Sequence, residues 1–286
     1  MKALISVDME GISGIVHSSE TNPERYDYQR GRELMTAEAN AVIAGVLDAE
    51  PTADVLVADA HGTFRNLLPE QLDRRARLVR GKPRGLNMLA GLDEETDAAL
   101  FVGYHVRAGE GPGVLAHTMN GEILDVRVAV HAPGEDVTTT GRSLGETGLN
   151  AAMAGHLGVP VVLLSGDDAA CAEMADLVPG TVTVAVKEAL GMAAAVTLHP
   201  EEARDRLRRA SADAVTRRTE IPPLALTGPL GVEVDLASPH TIDLATLIPG
   251  VSRAAGARTV AFTAPDYGTA YRLILLLAQL ATIRPA

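Results

Sequence analysis

Tryptophan is absent from the 286-residue chain, and aromatic residues of any kind make up only 3% of it. A stacking platform for bases or sugars is therefore not expected, and the core has to be built from Ala, Val, Leu and Ile. Cys171 is the single cysteine, which excludes an internal disulfide and any multi-cysteine zinc or iron–sulfur centre. A reducing, cytoplasmic setting is the natural expectation. Long apolar runs are missing as well: residues 1–7 are too short for a signal peptide and end at Asp8,. The run 273–277 is far below the ~20 residues that span a bilayer, so no membrane association is expected. Positive charge is in deficit, with 25 Lys and Arg against 37 Asp and Glu, a net charge of −12. Nucleic acid is a poor partner for such a chain, because its binders concentrate cations to displace condensed counterions. No Walker lysine motif, no helical His-Glu-x-x-His and no nucleophile elbow occurs,.

What is present is a composition 47% hydrophobic and 22% charged, able to bury a core without disorder,. Short apolar runs at 2–8, 54–60, 98–103, 159–165, 181–187 and 258–264 alternate with longer stretches of helical period,. Most of these runs are continuously apolar, as strands covered on both faces require. The fold class expected is α/β, a mostly parallel sheet with helices on both faces and a smaller C-terminal α+β portion. Helix 27–49 aligns Met35, Ala39, Val42 and Val46 on one stripe,. Helix 200–219 is rich in arginines interleaved with Glu201, Glu202, Asp205 and Asp213, an ion-paired face rather than a phosphate site,. Pro222-Pro223 marks the expected boundary between a body, 1–221, and a C-terminal portion, 222–286, packed on that body or at an oligomer contact.

Open α/β sheets bind ligands at the carboxyl ends of their strands. The first strand ends in Asp8-Met9-Glu10-Gly11, the second in Asp59-Ala60-His61-Gly62, and the third in Gly103-Tyr104-His105, followed by a Gly-rich loop and His117. Each of these acids and imidazoles has an ordinary use alone, as a loop cap or a partner for a backbone carbonyl. Their convergence on one sheet edge points to a metal, because carboxylates with neutral imidazoles suit Zn²⁺, Mn²⁺ or Co²⁺. A second ion would need a shared carboxylate to offset cation repulsion, and Asp8 is placed for that bridge. Glu146 opens helix 146–157, where the dipole stabilises a carboxylate,. Cys171, among alanines of a helix, reads as core,.

Taken together, Ser6-Val7-Asp8-Met9-Glu10-Gly11-Ile12-Ser13-Gly14, Asp59-Ala60-His61, Gly103-Tyr104-His105, Ala116-His117-Thr118-Met119, Gly145-Glu146-Thr147-Gly148-Leu149-Asn150 and Ser165-Gly166-Asp167-Asp168 resemble the D-aminopeptidase DppA family, the M55 metallopeptidases. The motifs match in order over residues 1–195 and more loosely beyond. The resemblance implies a two-zinc aminopeptidase acting on short peptides and assembled into a homo-oligomeric ring with its active sites facing an internal chamber. By motif, Asp8 bridges the zincs, Glu10 and His61 complete one site, His105 and Glu146 the other, and His117 is the catalytic histidine. The chain departs from the family in a longer stretch between His117 and Glu146 carrying His131, Pro133 and Gly134, which bears on substrate range.

Two rival readings remain. A haloacid-dehalogenase-type Mg²⁺ phosphohydrolase would use Asp8-Met9-Glu10-Gly11 and Gly166-Asp167-Asp168, but Glu10 replaces its second aspartate and the three histidines would lack a task. A non-catalytic, metal-stabilised scaffold would more commonly carry a closed, cysteine-rich site.

Overall fold

The computed structural model describes residues 1–131, 141–254 and 256–283. Pro133 and Gly134, in the long stretch before Glu146, lie outside the described residues. Numbered along the chain, the strands of the first half are β1 (Lys2–Val7), β2 (Asp54–Asp59), β3 (Arg77–Val79), β4 (Ala98–Tyr104), β5 (Ile123–Val130) and β6 (Arg142–Ser143). Those of the second half are β7 (Val161–Asp167), β8 (Val182–Gly191), β9 (Ala194–Thr197), β10 (Leu230–Leu236), β11 (Ser252–Arg253) and β12 (Thr259–Ala264). The α-helices are α1 (Ser18–Thr21), α2 (Tyr28–Ala49), α3 (Glu146–His156), α4 (Asp168–Leu177), α5 (Pro200–Thr216), α6 (Pro239–Ala245) and α7 (Tyr267–Leu280).

The main sheet has the order β3-β2-β1-β4-β7-β8-β9, parallel except for the β8–β9 hairpin at its edge. Every residue of β4 and β7 is buried, and so are all of β1 except Lys2, which is why these runs are continuously apolar. Helices α2 and α5 pack on each other over one face, and α3 and α4 do so over the other. Leu34, Met35, Ala39, Val42, Ile43 and Val46 form the buried stripe of α2,. Three α5 arginines are ion-paired, Arg204 with Glu201, Arg206 with Glu202 and Arg208 with Asp48, and Arg217, just past the helix, meets Asp213 and Glu220.

Strand order reverses at β1, since the chain crosses to β2 on one side and later to β4 on the other. The carboxyl ends of these three strands flank the switch point at which doubly wound sheets bind ligands. Close approach there depends on glycine: a Cβ on Gly11 would lie 2.0 Å from the Tyr104 carbonyl oxygen, and Gly103, at φ +70°, has its Cβ position 2.4 Å from that of Asp8,.

A second, antiparallel sheet has the order β11-β12-β10-β5-β6. Its middle pairs Val232 of β10 with Val128 of β5 and with Phe262 of β12, so strands from before Glu146 and after Pro223 share one sheet. Strand β5 is not among the expected runs because Asp125 and Arg127 interrupt it. Those charges are satisfied across strands, Arg127 reaching Asp125 at 2.7 Å, Asp235 at 2.8 Å and Glu233 at 3.1 Å,. Helix α7, capped where Asp266 accepts from the Thr269 amide at 2.8 Å, lies against α3 and this second sheet. No helix among the described residues is long and apolar enough to cross a membrane.

Candidate metal centre

Asp8, Glu10, His61, His105, His117 and Glu146 meet at the switch point, although they come from four separate parts of the chain. Asp8 and Glu10 follow β1, His61 follows β2, His105 follows β4, His117 lies on the loop beyond it, and Glu146 is the first residue of α3. All but His61 and His117 are buried.

Asp8 offers its two oxygens in different directions. Oδ1 lies 3.3 Å from His61 Nδ1, and Oδ2 lies 3.5 Å from His105 Nε2. His61 Nδ1 also meets Glu10 Oε2 at 2.9 Å, while Glu146 Oε1 lies 3.4 Å from His105 Nε2 and 3.6 Å from His117 Nε2. The donors therefore form two overlapping groups sharing His105: Asp8, Glu10 and His105, and His105, His117 and Glu146.

Each imidazole is oriented from behind by main chain. His61 Nε2 donates to the Thr21 carbonyl at 2.9 Å, His105 Nδ1 to that of Val106 at 3.1 Å, and His117 Nδ1 to that of Leu115 at 2.8 Å. The opposite nitrogen of every ring is thereby turned toward the carboxylates with its tautomer fixed, the arrangement that metal-ligating histidines need. Nε2 of His105 is buried and has no hydrogen-bond partner among the described residues. A buried polar atom left this way is costly, and a cation between it and the carboxylates would satisfy it. The mixed oxygen and nitrogen donors fit zinc.

Burial and the charge of Glu10 push Asp8 up to about 7 despite its bond to His61. Burial would lower His105, yet the charge of Glu146 raises it to about 10. Glu10 and Glu146 are also pushed up by burial, but His61 and His105 respectively pull them below the usual carboxylate range. Asp8, Glu10, Glu146, His61 and His105, packed this closely, share protons among them,.

The His117 loop is held under strain. Leu115 and Met119, on either side of it, have φ of +51° and +61°, conformations costing ~1–3 kcal/mol each that need support from their surroundings. The Leu115 amide donates to the Met192 carbonyl at 2.9 Å and the Met119 amide to Glu146 Oε1 at 2.7 Å. His117 stacks on His105, ring centroids 4.1 Å apart, and keeps 28% of its side chain exposed to the cavity in front.

Other sequence candidates are spent elsewhere. Asp59 accepts from the Asn66 side chain and the Leu67 amide at 2.7 Å each. Asp167 accepts from Ala170 and Val114, and Asp168 from Ala189, so the Gly166-Asp167-Asp168 imitation of a phosphohydrolase is a set of loop and helix caps. Burial pushes the Cys171 thiol up to about 12, making it inert,.

One residue absent from the sequence reasoning is Lys187. Its ammonium group, buried beneath the β1–α1 loop, donates to the carbonyls of Glu10, Ile12 (2.9 Å) and Ile15 (2.6 Å). A lysine inside the otherwise apolar run Val182-Thr183-Val184-Ala185-Val186 was the available signal. The rest of the cavity lining, with Phe64, Lys82, Arg84 and Leu275, had no such signal.

Comparison with known proteins extends the likeness over the whole chain. The peptidase M55 family, described as D-aminopeptidase, matches residues 1–276. A D-aminopeptidase of Bacillus subtilis (strain 168) is 37% identical over 281 residues, covering 98% of each chain. The solved structure of the zinc-dependent D-aminopeptidase DppA from Bacillus subtilis, a self-compartmentalizing protease, superposes with a TM-score of 0.92 at 35% identity, covering 100% of both chains. Fold, motif order and sequence agree from one end to the other, and the chain belongs to the M55 D-aminopeptidase family.

Proposed function

We propose that this chain is a zinc-dependent aminopeptidase that hydrolyses the N-terminal residue from short peptides at a two-metal site. The observation that carries the reading is Asp8, whose two oxygens face two different imidazoles. Asp8 would bridge two zinc ions, with Glu10 and His61 completing one site and His105 and Glu146 the other. Zinc held there supplies a Lewis acid that polarises the scissile carbonyl and lowers the pKa of water.

The chain's own groups do the rest. His117, with Nδ1–H tied to the Leu115 carbonyl, presents Nε2 to the cavity as the group that takes a proton from the attacking water and returns it to the leaving amine. Glu10 and Glu146 stay ionised because histidines face them. Helix α7 supplies Leu275 and Ala278 to the cavity wall, limiting the water around the scissile bond.

A ring of copies of this chain, as the self-compartmentalizing relative suggests, and a cytoplasmic location, suggested by the single cysteine, belong to the same proposal. The test is a panel of D- and L-aminoacyl dipeptides assayed with purified protein whose metal has been quantified. About two zinc ions per chain and release of the N-terminal residue are expected. Protein that holds only Mg²⁺ and cleaves p-nitrophenyl phosphate instead would sink the reading. His117→Gln should retain the zinc and lose ~10²–10⁴-fold in kcat; undiminished turnover would remove His117 from the chemistry.

A further inference from the structure

The cavity in front of the cluster is lined by groups of both signs: the carboxylates Asp8, Glu10 and Glu146, and the cations Lys82 and Arg84. Its volume of about 720 Å³ falls within the ~300–1,000 Å³ of small-molecule pockets, which bounds the occupant to a small ligand or a short peptide.

Neither cation forms a salt bridge among the described residues. Lys82 has no hydrogen bond and no carboxylate partner among the described residues; its Nζ stands 5.3 Å from the centroid of the Phe64 ring. Arg84 lies over the same ring, its Cζ at 4.1 Å. All its bonds go to main-chain carbonyls: those of Asn87 (2.8 Å), Val79 (3.2 Å) and Asp59. In a chain of net charge −12, two cations in one cavity that form no salt bridge among the described residues invite an anion from outside. Phe64 is buried with φ at +59°, a strained conformation for an aromatic residue. Its amide donates to the His61 carbonyl at 2.8 Å, so the ring beneath both cations is tied by one turn to a candidate zinc ligand. Arg84 is fixed by its three carbonyls, whereas Lys82 is free to reach, and an ammonium on a flexible stem can follow carboxylates at slightly different depths.

We infer that Lys82, with Arg84 behind it, receives the α-carboxylate of a short peptide whose amino end faces the histidine–carboxylate cluster, making a free C-terminus a determinant of substrate choice. The inference rests on the aminopeptidase reading above. The pair also sets direction. A peptide carboxylate would otherwise compete for the zinc ions, and cations elsewhere in the cavity draw it away from them.

The test compares a dipeptide such as alanyl-alanine, in the stereochemistry the enzyme prefers, with its C-terminal amide. For zinc-loaded wild type, kcat/KM should favour the free acid by about tenfold or more, carried by KM. In Lys82→Gln the acid-to-amide ratio should fall to near one, while Lys82→Arg should keep most of it. Lys82 is exposed and makes no hydrogen bond, so the melting midpoint of each variant should stay at the wild-type value, separating a binding effect from misfolding. An acid-to-amide ratio in Lys82→Gln equal to that of wild type, or a wild type that cleaves both equally, overturns the inference and leaves the aminopeptidase reading standing. Wild-type protein that cleaves neither compound overturns that reading itself, and this one with it.

Discussion

His105 carries a buried nitrogen that no group among the described residues satisfies, and it sits at the overlap of the two donor groups. Without metal its pKa is raised to about 10, against the effect of burial, chiefly by Glu146; His61 is raised well above its ordinary value, chiefly by Glu10. His105 is therefore an imidazolium at neutral pH, and zinc has to displace its extra proton. The sign follows directly: protons compete with metal, so affinity rises with pH below about 10 and falls by about tenfold per unit of acidification for each proton displaced. Calorimetric zinc titration of the metal-free protein at pH 7.5, in two buffers of different ionisation enthalpy, should show protons released on binding. Heats that do not depend on the buffer would contradict the proton-for-metal exchange. Much of this site was legible residue by residue. Asp8, Glu10, His61 and His105 stand at strand ends, where topology gives them a shared edge. The roles of His117 and Glu146 came from motif likeness, since neither the loop nor the start of α3 declares its direction in the sequence.

At the scale of elements, the parallel strands β1, β2, β4 and β7 were readable because burial on both faces leaves an uninterrupted apolar run. Strands β5 and β10 were harder. Half-exposed antiparallel strands carry charges such as Arg127, Glu233 and Asp235, whose partners lie more than a hundred residues away. A local window cannot see that such charges are paired. The loop from β1 to α1 shows the same limit, because its shape depends on Lys187 of β8. Replacing Lys187 by Met keeps the apolar stem and strands the carbonyls of Glu10, Ile12 and Ile15. Each stranded group costs ~1–3 kcal/mol, so a loss of ~3 kcal/mol or more in urea unfolding is expected, together with a lower zinc content after dialysis. An unchanged unfolding midpoint would show that the lysine does not hold the loop.

For the molecule as a whole, the second sheet joins β5 to β10 and β12, so residues on both sides of Pro222-Pro223 are bound into one structure. Leu190, Met192 and Val196 remain exposed on the β8–β9 hairpin, and Met192 is the residue whose carbonyl holds the His117 loop. If copies of this chain assemble through that hairpin, Met192→Glu should lower the mass seen by sedimentation and reduce turnover together. Loss of neither would place the contact elsewhere. The position of α7 has a further consequence. The proposed metal ligands end at Glu146, whereas the cavity wall needs Leu275 and Ala278. On a ribosome the groups proposed to hold metal emerge long before those that wall the cavity, so the pocket is completed only once the C-terminal helix has been made.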